Sequence, residues 1–82
     1  MKFKFSQETE NGEMDEIEYK VLDGERYGIL GTLTGSDEIE EVKSPGLFFT
    51  EAETMEWCAW LTQNKVLPSS LNQVLSDEFY IR

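Results

Sequence analysis

Apolar and basic residues alternate strictly in Met1-Lys2-Phe3-Lys4-Phe5, the period of a half-buried strand. Ser6 to Gly12 is polar and closes on Asn11-Gly12, a turn signal. Alternation resumes with Ile17, Tyr19 and Val21 on one face and Glu16, Glu18 and Lys20 on the other, predicting a second strand. A third strand carries Tyr27, Ile29 and Leu33 on one face, with Gly31 completing the alternation. Register follows from the loop between them. A two-residue Asp23-Gly24 turn would send the two apolar rows to opposite sides of the sheet. A three-residue loop, Leu22-Asp23-Gly24, pairs Tyr19 with Tyr27 and Ile17 with Ile29, and it asks Gly24 to be left-handed. Thr34-Gly35-Ser36-Asp37 turns the chain into a short strand around Ile39 to Lys43, where only Ile39 and Val42 are apolar among Glu38, Glu40 and Glu41. That composition suits an edge strand, because charge discourages pairing with other chains.

After Ser44-Pro45-Gly46 the period changes. Thr50 with Glu53 three residues on is a capping box, predicting a helix from Thr50 to about Asn64. At roughly 100° per residue, Ala52, Met55, Cys58, Ala59, Leu61 and Val66 share one apolar arc, with Trp57 at its edge. Ser70 with Gln73 suggests a second capping box, and a second helix over 69–79 carries Leu71, Val74, Leu75 and Phe79 as a core stripe. The expected fold class is α+β: a small antiparallel sheet of three or four strands followed by two C-terminal helices packed on one face. Eighty-two residues make one domain, 1–82.

Composition adds charge to this picture. Seventeen acidic residues against seven basic ones give a net charge of -10, which repels nucleic acid and anionic membranes. Direct nucleic-acid binding needs a basic footprint, and the chain has none. A single cysteine excludes an internal disulfide; Cys58, among Trp57, Ala59, Trp60 and Leu61, reads as a small buried hydrophobe. With no signal-peptide pattern and no long apolar run, the expected compartment is the cytoplasm.

Chemistry is restricted by the absence of histidine, which removes the usual general base and metal ligand. One cysteine without histidine cannot fill a zinc site. Gly28-Ile29-Leu30-Gly31 lacks the GK[ST] of a phosphate loop and falls inside a strand, so its glycines read as close-approach positions. No EF-hand spacing accompanies the acidic clusters Asp15-Glu16-Glu18 and Asp37-Glu38-Glu40-Glu41. Neither a catalytic residue, a metal nor a cofactor is expected. The candidate contact residues lie on the first helix, where Trp60 falls opposite the apolar arc beside Glu53 and Glu56. A tryptophan ringed by carboxylates resembles an interface hot spot with a polar rim, unless the second helix or the first strand covers it as core.

Tyr27-Gly28-Ile29, the acidic strand, the segment Thr50–Asn64 and Pro68-Ser69-Ser70-Leu71-Asn72-Gln73-Val74-Leu75 together resemble a group of short proteins of unknown function from clostridia and related Gram-positive bacteria. The resemblance spans residues 19–80 and includes the turn Asn64-Lys65-Val66-Leu67-Pro68. It implies a bacterial or phage origin and the strand-then-helix order, and carries no catalytic signature.

These features favour a non-enzymatic module, an adaptor or inhibitor, that docks on a partner protein with a basic surface. Trp60, Glu53 and Glu56 are its expected contacts, extended by Glu38, Glu40 and Glu41 if the edge strand lies nearby. One alternative is a phage-type nucleic-acid mimic that inhibits a host nuclease or CRISPR effector. Glu16 with Glu18, and Glu38 with Glu40, have the i,i+2 separation of roughly 6–7 Å that would imitate phosphates. The other alternative is a small homodimeric structural protein.

Overall fold

The computed structural model describes residues 3–80, and the side chains of residues 3–78. The alternating segments become strands β1 (Phe3–Glu8), β2 (Met14–Leu22), β3 (Gly28–Thr34) and β4 (Ile39–Lys43). They form one antiparallel sheet in sequence order, so β4 is an edge strand, as its charges led us to expect. β1 runs past the alternating segment to Glu8, paired with Met14, and Gly12 takes the left-handed conformation (φ +80°) in the turn that follows. Met1 and Lys2, expected in the same strand, and the side chain of Phe79, expected in the core stripe, lie outside the described residues.

The β2–β3 register differs from the expected one. Tyr19 pairs with Gly31 rather than Tyr27, Ile17 with Leu33 rather than Ile29, and the strands part at Leu22–Gly28. The connection is therefore Asp23 to Tyr27, and Gly24 is not left-handed. A four-residue slip leaves every side chain on its expected face, which is why alternation alone cannot distinguish the two registers. Two interactions select the observed one. A Cβ on Gly31 would stand 2.8 Å from Tyr19 Cε1, so the tyrosine ring lies across the space that glycine leaves open. Tyr27 is instead bridged to Phe48: its N–H donates to the Phe48 carbonyl (2.8 Å), and the Phe48 N–H donates back (3.0 Å).

Helix α1 spans Glu51–Gln63, and Thr50 caps it by accepting the Glu53 N–H (3.1 Å). Its buried face differs from the expected arc: Thr54, Cys58 and Leu61 are buried, while Ala52 is exposed. A threonine can occupy the core here because its hydroxyl donates to the Thr50 carbonyl (2.7 Å). The helix ends in a Schellman arrangement, with Val66 N–H on the Leu61 carbonyl, Lys65 N–H on Thr62, and Lys65 left-handed (φ 52°).

The expected second helix is broken into three local geometries. Pro68–Ser70 is a 3₁₀ turn, Leu71–Leu75 is the short helix α2, and Ser76–Tyr80 is a turn of π-helix. The Ser70–Gln73 capping box does not form. The 3₁₀ turn already uses the N–H groups of Ser70 and Leu71, on the Leu67 and Pro68 carbonyls, so a cap has less to satisfy. Gln73 turns forward instead, donating to Asp77 Oδ1 (3.1 Å).

Both helical segments cover one sheet face. Phe3, Ile17, Tyr19, Ile29, Phe48, Cys58, Leu61, Leu71 and Leu75 form the core between the two layers. The Tyr19 hydroxyl donates to the Val66 carbonyl and ties the segment after α1 to the sheet. The other sheet face is open and carries two ion pairs, Lys4–Glu16 (3.0 Å) and Lys20–Glu18 (3.8 Å). No helix among the described residues is long and apolar enough to cross a membrane.

Candidate functional site

Trp60 sits on the outer side of α1, 37% exposed, so it is a surface residue rather than core. Its position is fixed from behind. The Trp60 ring meets the half-buried Trp57 ring edge-to-face, with centroids 5.7 Å apart and planes at 61°. Trp57 in turn packs against the buried Phe48, centroids 6.2 Å apart and 38° between planes. An aromatic series thus runs from the core to the surface, giving Trp60 a firm base at little cost in side-chain freedom. The backbone beneath it is held as well: the Trp60 carbonyl accepts both the N–H and the side-chain amide of Asn64 (3.0 and 2.8 Å).

Glu56 is exposed one turn before Trp60, and the half-buried Glu53 stands one turn earlier. Glu56, Trp57 and Trp60 line a cleft of about 230 Å³ together with Glu78 from the C-terminal π-turn. Of the contacts expected on α1, Trp60 and Glu56 line this cleft and Glu53 does not, whereas Trp57 as a wall and Glu78 were not expected. The spacing of Trp57 three residues before Trp60 was a usable signal. Glu78 had none, because only the fold of the C-terminal segment brings it to α1.

The acidic strand does not extend this surface. α1 packs chiefly on β2 and β1, whereas β4 lies beyond β3 at the opposite edge of the sheet. The three glutamates expected to extend the surface are also divided. Glu40 pairs with Leu33 on the helix-covered side, Glu41 pairs with Thr32 on the open side, and Glu38 precedes the strand. Glu38 instead joins Glu13, Asp15 and Asp37 in a shallow depression of about 310 Å³ at the tips of two hairpins. There the Ser36 hydroxyl donates to Glu13 Oε2 (2.6 Å). Among the described residues, no group of three or more His, Cys, Asp or Glu side chains is placed to hold a metal ion.

Two buried groups titrate away from their ordinary ranges. Burial pushes the Cys58 thiol up to about 11, and burial also raises the Tyr19 phenol, with a smaller contribution from the nearby Cys58. The thiol lies on the inner side of α1, fully buried within the core. On the open sheet face, the hydrogen bond and charge of Glu16 raise the Lys4 pKa.

No protein-family model, curated protein or solved structure matches the chain.

Proposed function

We propose that this chain is a non-enzymatic protein-interaction module, an adaptor or inhibitor, that docks on a basic surface of a partner protein through the outer face of α1. One observation carries the reading: Trp60 is exposed on an acidic helix face yet braced through Trp57 to the core residue Phe48. Binding energy concentrates in aromatic anchors of this kind, surrounded by a polar rim. Glu53 and Glu56 supply that rim, and the net charge of -10 would steer a cationic partner toward it. The lone buried thiol suits a reducing compartment, and we assign the protein to the cytoplasm.

The nucleic-acid mimic draws less support. Of its two spaced pairs, Glu16 and Glu18 are each matched by a lysine, at 3.0 and 3.8 Å, whereas a phosphate row presents uninterrupted charge. Glu38 and Glu40 do not share a strand, since β4 begins at Ile39.

Affinity capture from the source cell, with wild-type and Trp60→Ala baits compared at low salt and at about 0.5 M salt, tests the reading. A partner with a basic surface should be retained by wild type at low salt and lost with either change. A partner retained equally by both baits, or held regardless of salt, would overturn it.

A further inference from the structure

The cleft between α1 and the C-terminal π-turn has a specific chemistry. Two indole rings set at 61° form a corner, and two carboxylates, Glu56 and Glu78, complete its lining from different elements. The ion pairs among the described residues, Lys4–Glu16 and Lys20–Glu18, both belong to the open sheet face, so neither cleft carboxylate is taken up by one. Indole faces attract cations through the ring quadrupole, and a carboxylate beside them adds charge and hydrogen-bond acceptors. The Trp57–Phe48 contact holds the inner wall in place before any ligand arrives.

We infer that this cleft is a receptor for the guanidinium of one arginine side chain on the basic partner. The inference rests on the docking reading above and names the group that the surface recognises. Guanidinium fits better than ammonium for three reasons. It is planar and can lie on an indole face. Its five N–H donors can reach two carboxylates at once. It is also more weakly hydrated, so entering a half-apolar cleft costs it less. Glu78 is the residue this assigns anew: it supplies the second acceptor, and it makes the C-terminal turn part of the recognition surface.

The test titrates three blocked tripeptides into the full chain at physiological ionic strength, following the indole N–H resonances of Trp57 and Trp60 by NMR. One peptide carries a central arginine, one lysine, and one citrulline, which keeps the shape of arginine without its charge. The arginine peptide should give saturable shifts of both indoles in the low millimolar range, with lysine weaker by at least a few-fold and citrulline inert. Glu56→Gln and Glu78→Gln should each weaken the arginine response, and the double variant should reduce it roughly tenfold. Circular dichroism of these surface variants checks that the fold is kept. Equal responses to arginine and lysine would overturn the guanidinium assignment. A response to citrulline, or one unchanged in the double variant, would overturn the cleft as a cation site. The two readings fail separately: saturable arginine binding with no partner captured removes the docking function alone, whereas a Trp60-dependent partner without arginine binding removes only the cleft's role.

Discussion

Gly31 shows how one missing side chain can set a register. The Tyr19 ring fills the space above it, and the ring cannot swing away because its hydroxyl is held by the Val66 carbonyl. Gly31→Ala should therefore lower stability by about 2–3 kcal/mol, near the upper end for overpacking a well-filled core; urea unfolding measures it. Lys65 presents the opposite case. It occupies a left-handed position where a Cβ is disfavoured, so Lys65→Gly should raise stability by about 0.5–1 kcal/mol in the same assay, despite removing a positive charge. The buried thiol and phenol give the fold an alkaline limit. Cys58 and Tyr19 both have folded-state pKa values above their ordinary ones, so the unfolded chain loses these protons first as pH rises. Their contribution is intact below pH 9.0, the ordinary thiol value, and falls as pH rises from there through about 11 for Cys58, with Tyr19 extending the loss upward. Urea midpoints at neutral pH and about pH 10.5 should show that decline, and Cys58→Ala should flatten its lower part.

At the scale of elements, α1 divides its two tryptophans between different tasks. Trp57 faces inward toward Phe48, so Trp57→Ala should cost about 2–4 kcal/mol, toward the low end for aromatic deletions because the ring is only half-buried. Trp60→Ala should cost about 1 kcal/mol and be felt mainly in binding. Urea unfolding separates the two by the size of the loss, whereas in a capture assay both variants should weaken binding, because both rings line the cleft. The same helix shows what a sequence can and cannot reveal. Its boundaries were readable because Thr50, Glu53 and Asn64 act locally, through hydrogen bonds within one turn. Its buried face was misjudged at Ala52 and Thr54 because burial depends on how the helix meets the sheet, and a back-bonded threonine passes as apolar. The second helical segment was legible in its stripe of Leu71 and Leu75 but not in its geometry, since the 3₁₀ entry through Pro68 displaced the expected cap. The same distinction holds for the proposed binding surface. Trp60 and Glu56 belong to one helix face and could be paired by spacing, whereas Glu78 arrives through tertiary structure, and the distance of β4 from α1 depends on strand order.

For the molecule as a whole, charge acts on folding and on the proposed recognition with opposite signs. A net charge of -10 spread over 82 residues works against the compact state, and most of all where acids converge, as Glu13, Asp15, Asp37 and Glu38 do at the hairpin tips. Added salt screens that repulsion. It also weakens Lys4–Glu16 and Lys20–Glu18, but both lysines lie exposed on the open sheet face and such pairs contribute little to stability, so relief of the repulsion should dominate. Raising sodium chloride from about 20 mM to about 0.5 M shortens the screening length from roughly 20 Å to about 4 Å. The melting temperature should then rise by about 3–6 °C, the equivalent of somewhat under 1 kcal/mol in a domain this small. The same addition should loosen the proposed complex with a cationic partner, because there the screened interaction is attractive. Calorimetry of the free protein beside binding measured in the same buffers distinguishes screening from damage to the fold. If the complex weakens while the free chain becomes more heat-stable, salt is acting on the attraction between charges. A melting temperature that falls together with binding would instead mean that the surface is lost because the domain unfolds.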